Sequence, residues 1–353
     1  MTIKYFDFFA GIGGFKEAMD SIQINASHIG FCEIEKNAIN FYKSHHLSHK
    51  NSEAQFISNV ENVKTKKNLG GEELKPFNFM LAGFPCQSFS NVGYRKGLED
   101  ERGKLFYNIL HILEYYKPTF FVLENVQKLT TISKGKLLSE MTVALEECGY
   151  HVHLWDLTAS EYGVPQKRRR IFFAGVRAQK YSKLSISCPP RIPREETKYP
   201  TAWHLLEKNN DVDERHYIPH KTRRTVLYKN PKWCGDVNID NTIARPITAS
   251  MAKWHRANQD NYFSDTYIKS NEPFERPDVD LEVEKIRRIT PLEGFRLQGF
   301  DDSYEETRKS LNLSYSATYK LIGNSVPVSM AKAVIEHLLH SYNLELFNRR
   351  NDK

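Results

Sequence analysis

The sequence has no long hydrophobic run: nothing approaches the roughly 18 consecutive apolar residues of a membrane helix, and its first ten residues lack a signal-peptide layout. Membrane and secreted classes are set aside, and a cytoplasmic location is expected. Cysteine is scarce as well. Five cysteines, an odd number without a Cys-x-x-Cys pair, argue against a disulfide framework and a cysteine zinc site, and imply a reducing compartment. Internal repeats and low-complexity tracts are missing too, which excludes solenoids and arrays.

What is present is a globular composition. At 353 residues the chain exceeds one usual compact domain, so a large and a smaller domain are expected, with ample core for an enzyme. The formal net charge of +7 favours a polyanionic partner, although a mildly basic housekeeping enzyme has the same balance. Strand-like and helix-like segments alternate: 4–9 then 15–21, 28–32 then 36–42, 79–81 then 105–116, 120–123 then 137–148. Two further apolar runs, 151–157 and 171–176, complete the set. The alternation predicts an α/β fold with a mostly parallel sheet flanked by helices. From Cys188 onward prolines cluster at 189, 190, 193 and 200 and periodicity fades, which places a domain boundary there. Between Arg191 and Asp260, 13 Lys/Arg stand against 9 Asp/Glu with Trp203, Trp233 and Trp254 among them. That mixture suits nucleic acid, and equally a solvated domain surface. Segment 328–342 has helical periodicity and is expected to pack back on the first domain.

Gly83-Phe84-Pro85-Cys86-Gln87-Ser88-Phe89-Ser90 sets a cysteine between a proline and polar neighbours, straight after an apolar run. A nucleophilic thiol needs such partial exposure and a lowered pKa, whereas structural cysteines sit among apolar residues. A second run, Phe120-Phe121-Val122-Leu123, ends on Glu124-Asn125-Val126. Asp7-Phe8-Phe9-Ala10-Gly11-Ile12-Gly13-Gly14 follows a strand and opens a helix, so its glycines let backbone amides approach a ligand; a tight turn needing positive φ is the plainer use. Glu33 ends the second strand, where an acid accepts ribose hydroxyls or merely starts the next helix. Asp7, Glu33, Cys86 and Glu124 all fall at or just past the carboxyl ends of predicted strands, the edge where open α/β sheets bind ligands.

These residues resemble the DNA cytosine methyltransferases that methylate carbon 5 with S-adenosylmethionine. Asp7 to Gly14 is similar to that family's cofactor loop, Gly83 to Ser90 to its Pro-Cys-Gln motif, and Glu124-Asn125-Val126 to its glutamate motif. Gln166-Lys167-Arg168-Arg169-Arg170 resembles its Gln-x-Arg-x-Arg element. Arg288 to Glu293 and Gly323-Asn324-Ser325-Val326-Pro327 resemble its last two blocks, in the family's order. The resemblance implies a Rossmann-like catalytic domain, 1–188 completed by 319–353, a smaller irregular target-recognition domain, 189–285, and a hinge and connecting motif, 286–318.

It also implies roles. Cys86 is expected to add to carbon 6 of the base, Glu124 to hold or protonate nitrogen 3, Arg168 to bond oxygen 2 and Arg170 to brace the site. The cofactor, with S-adenosylhomocysteine as its product, is expected at Asp7, Phe9, Ala10, Gly11, Gly13, Gly14, Glu33, Ile34, Asn59, Pro85 and Asn324. Asn59 stands where the family usually has an aspartate, which bears on cofactor affinity. Double-stranded DNA is the expected partner, its target base flipped out, with Ser88, Arg95, Lys96, Arg245, Thr248, Lys253 and Arg256 as contacts. His255 and Asn258 share the candidate reading stretch, and 91–103 is a candidate lid with three glycines. A separately acting restriction endonuclease is the candidate companion, a monomer the expected state, and no metal is expected. A tRNA cytosine-5 methyltransferase is the alternative. A nicotinamide oxidoreductase would suit the glycine turn and Glu33 while leaving Cys86, Glu124 and Arg168 without a task.

Overall fold

The computed structural model describes residues 2–48, 53–85, 104–208, 212–228 and 237–342. The chain divides into two compact units: Met1–Leu157, Arg169–Pro190 and Met330–Lys353 form the first, and Thr158–Arg168 with Arg191–Ser329 the second.

The first unit is built on a seven-stranded sheet. Its strands are β1 (Ile3–Phe8), β2 (Ala26–Cys32), β3 (Gln55–Ile57), β4 (Phe79–Gly83), β5 (Phe120–Val126), β6 (Tyr150–Thr158) and β7 (Arg169–Arg177), in the order β3-β2-β1-β4-β5-β7-β6. Neighbours from β3 to β5 pair in parallel, and β7 runs antiparallel to β5. Phe79 to Ala82 and Phe120 to Leu123 are buried throughout, as strands covered on both faces require. Helices α1 (Gly14–Asp20), α2 (Lys36–His46), α3 (Lys104–Tyr116) and α4 (Lys136–Glu147) follow β1, β2, β4 and β5 in the chain. Helix α3 buries Phe106, Ile109, Leu110, Ile112 and Leu113, a stripe with three- and four-residue spacing. Each such side chain contributes about 1.5–3 kcal/mol when fully buried. The stripe joins Phe6, Phe8, Met80, Ala82, Phe121 and Leu123 in one core.

The strand order reverses direction between β1 and β4. Loops leaving the carboxyl ends of these two strands therefore start side by side, at the switch point where open α/β sheets take their ligands.

In the second unit regular structure is sparse. Its two-stranded sheet pairs β8 (Tyr262–Ser264) with β9 (Ile286–Arg288) antiparallel, and much of the remainder is short helical turns. A small apolar cluster of Ile218, Val226, Leu227, Ala257, Tyr262 and Ile286 is joined by buried polar pairs. Arg287 and Glu293, both essentially unexposed, pair at 2.7 Å. Glu293 also closes a capping box with Thr290 at the start of a helix, Pro291–Leu297. The family-like block Arg288 to Glu293 is thus a helix start with its cap.

Two assignments differ from the sequence reading. Segments 158–168 and 319–329 go with the second unit, because Gln166 and Arg168 bond to its backbone, as described below. Glu124, expected at a strand end, lies inside β5 opposite Phe172 of β7; the antiparallel partner extends pairing two residues further.

Candidate active site

The glycine loop is pinned at several points. The Ala10 amide donates to Cys32 O at 3.1 Å and the Gly13 amide to Ala10 O at 2.9 Å. Gly11 and Gly13 take φ of +57° and +92°, left-handed values that favour glycine, and nothing lies within 4 Å of where a Gly11 Cβ would stand. Phe9 also adopts a positive φ, +54°, a strained conformation for a bulky residue that concentrates at functional sites. Glu33 is the clasp: its carboxylate accepts from the amides of Gly11, Ile34 and Glu35, each at 2.8 Å. Its carboxylate thus holds the loop in place. Ile34, 70% exposed, presents an apolar face beside it. Asn59 caps a helical turn, its amide oxygen accepting from the Glu61 amide at 3.0 Å. Next to it, Val60, Lys104, Tyr107 and Asn108 line a cavity of about 600 Å³.

Asp7 stands one residue before the end of β1. It is fully buried, and its carboxyl has no hydrogen-bond partner among the described residues. Burial first and the Glu33 charge second push its pKa well above the usual carboxylate range, against the pull of Lys16. The sign follows from linkage: below the unfolded value near 4 both states are protonated and burial costs nothing extra. As pH rises the unfolded state ionises first, so stability falls. The melting-temperature difference between Asp7→Asn and wild type should shift in favour of Asn from pH 4 to 7. A difference constant across that range would contradict the assignment.

At the carboxyl edge of β4 and β5, the Arg170 Nε lies 2.6 Å from Glu124 Oε1, with both side chains nearly buried. Glu124 Oε2 lies 3.6 Å from where a Gly83 Cβ would stand, an ordinary contact distance that sets the carboxylate against the end of β4. Asn125, not singled out from the sequence, donates from its amide to Phe84 O at 3.0 Å and accepts from the Val126 amide at 2.8 Å. It thereby ties the glutamate motif to the backbone two residues before Cys86. Cys86, Ser88, Arg95 and Lys96 lie outside the described residues, as does the candidate lid, 91–103. Pro85 is exposed beside them. Two other thiols are poor nucleophiles: burial first, with nearby carboxylates, pushes Cys148 up to about 12 and Cys32 higher still.

Arg168 lies in the second unit. It is buried, its Nη1 donating to Ile247 O at 3.0 Å and its Nη2 to Gly323 O and Ser325 O at 2.8 Å. Gln166 donates to Leu297 O at 2.8 Å and accepts from the Ile247 amide at 3.1 Å. These two residues stitch the second unit together, Arg168 through three carbonyls and Gln166 through a carbonyl and an amide. Gly323 completes the junction, since a Cβ there would come within 2.4 Å of the Ala249 nitrogen. Asn324 is exposed at the end of a helix, Tyr315–Asn324, of this unit.

Arg245 turns inward in part, its Nε donating to Ala257 O at 3.0 Å. It is one of several groups gripping the turn around 252–257. Arg288 donates to Ala252 O at 2.7 Å, and the Tyr262 hydroxyl to His255 O at 2.6 Å. His255 Nδ1 lies 2.9 Å from Asp260, whose carboxyl burial pushes up to about 6 against the pull of His255. The turn leaves Lys253 exposed and Thr248 and Arg256 half-buried.

A family model for C-5 cytosine-specific DNA methylases matches residues 3–340. The chain belongs to this family. Among its curated relatives, the type II methyltransferase M.HpaII of Haemophilus parainfluenzae is 31% identical, the match covering 96% of this chain and 91% of that protein. M.HaeII of Haemophilus aegyptius is 29% identical, covering 97% and 94%. The solved structure of the Entamoeba histolytica methyltransferase EhMeth superposes with a TM-score of 0.72 at 21% identity, covering 97% and 99% of the two chains. That likeness shows the Rossmann-like methyltransferase fold alone. As a C-5 cytosine methyltransferase, the protein places its Glu124–Arg170 pair and glycine loop on the carboxyl edge of one sheet. No helix among the described residues is long and apolar enough to cross a membrane.

Proposed function

We propose that this methyltransferase transfers a methyl group from S-adenosylmethionine to carbon 5 of cytosine within a short sequence of double-stranded DNA. The observation that carries the reading is the Glu124–Arg170 pair beside Gly83, with Asn125 anchoring the chain just before Cys86. The open Gly11 cradle, the strained Phe9 and the exposed Ile34 beside Glu33 fit the cofactor. Phe9, Ala10, Gly11, Gly13, Gly14, Glu33, Ile34, Asn59, Pro85 and Asn324 are the residues to hold it. When bound it supplies an electrophilic methyl group.

Carbon 5 of cytosine is a poor nucleophile, so the chain must make it reactive. The Cys86 thiolate adds to carbon 6, and the electron pair moves to carbon 5. Glu124 holds the proton at nitrogen 3, and Arg170, two residues along from the stitching Arg168, orients Glu124 and faces oxygen 2. After methylation the carbon 5 proton leaves to a base, the sulfur–carbon bond breaks, and Cys86 is regenerated. A stacked cytosine is out of reach, so the base is flipped into the site at a cost of a few kcal/mol. In the second unit, the gripped turn offers Lys253 and Arg256 to the DNA, Thr248 stands beside it, and the target-recognition role belongs to this unit. Ser88, Arg95 and Lys96 contact the DNA backbone. A separate endonuclease as companion and a cytoplasmic monomer complete the proposal. The names of the type II relatives support the pairing with restriction.

The purified protein, given labelled S-adenosylmethionine with duplex DNA and with tRNA side by side, should label cytosine in DNA. Label confined to RNA would overturn the choice of substrate.

A further inference from the structure

The last turn of α2 carries two adjacent histidines, and both approach the first helix. One ligand atom from each of Glu17, His45 and His46 lies within 4.8 Å of the other two. We propose that these three side chains bind a divalent transition metal, with Zn²⁺ as the ion, linking α1 to α2 behind the glycine loop.

The donor set is suited to it. Two imidazoles and a carboxylate are among the combinations that hold Zn²⁺ tetrahedrally, with water in the fourth position. Bonds of about 2.0–2.2 Å place donors roughly 3.4 Å apart in that geometry. The half-buried Glu17 and His45 close the remaining ångström or so by side-chain rotation.

His46 is already oriented. Its Nε2 lies 3.0 Å from Ile12 O. A carbonyl only accepts, so Nε2 carries the hydrogen and Nδ1 keeps the lone pair. A backbone carbonyl behind a ligating histidine is the usual device for fixing tautomer and ring angle at metal sites. Gly13 makes room for the ring, since a Cβ there would come within 2.0 Å of Nε2. Lys16, the nearby cation that would oppose a metal, is paired with Asp20, which offsets its repulsion. Cysteine plays no part, so the exclusion of a cysteine zinc site is unaffected.

The test is calorimetric titration of ZnCl₂ into the untagged, chelator-stripped full chain. Glu17→Gln and His45→Ala are titrated alongside, with His220→Ala as an exposed histidine of the other unit. Wild type and His220→Ala should each bind one ion, and Glu17→Gln and His45→Ala should bind it at least about tenfold more weakly. Unchanged melting of the metal-free variants shows that they fold. No binding by wild type, or equal binding by all four chains, overturns the site.

Discussion

Replacing Glu124 by glutamine should lower the rate of methyl transfer by about 10²–10⁴-fold, the usual contribution of a positioned acid–base group. The amide keeps the shape of the side chain but cannot hand a proton to ring nitrogen 3 and take it back. The ion pair with Arg170, 2.6 Å in wild type, loses its charge on one side. Cofactor affinity should stay the same, because Gly11 is clasped by Glu33 and not by Glu124. Single-turnover methyl transfer together with equilibrium binding of S-adenosylmethionine separates the two effects. A variant with near wild-type transfer would remove Glu124 from the chemistry.

Arg168→Met should damage folding more than chemistry. Its guanidinium serves the carbonyls of Ile247, Gly323 and Ser325, and methionine leaves all three buried without that donor. Hydrogen bonds to a charged group contribute about 1.5–3 kcal/mol each, and they are not additive. A loss of about 3–5 kcal/mol is expected, lowering the melting temperature by roughly 10 °C. Arg168→Lys keeps the charge but not the fork, and should fall between the two. A variant that melts within about 1 °C of wild type yet has lost activity would return Arg168 to the base-contacting role that the sequence suggested.

The contrast between Arg168 and Arg170 shows where sequence reasoning stops. Both are arginines in one basic string, and nothing local tells which turns to Glu124 and which to carbonyls far along the chain. The sheet was largely legible because strands buried on both faces read as continuous apolar runs, such as Phe79 to Ala82. Their direction was not: the run 171–176 looks the same whether β7 is parallel or antiparallel. Three-residue β3 was too short to show a period. The glycine loop and Glu33 stood out because positive φ and a strand-end acid leave local marks. Asn125 and His46 did not, since an asparagine after a strand and a histidine ending a helix are ordinary until Phe84 O and Ile12 O are seen beside them. The second unit was least legible. Much of its order comes from polar stitches such as Gln166, Arg287–Glu293 and Arg288, which have no periodicity.

The most direct test is to express wild type and Cys86→Ala in a host lacking cytosine methylation and map 5-methylcytosine across the genome. The account predicts methylation in one short sequence context with wild type and none with Cys86→Ala. An unmethylated genome in both, from protein that binds S-adenosylmethionine, would contradict DNA as the substrate, and equal methylation by both would contradict Cys86 as the nucleophile.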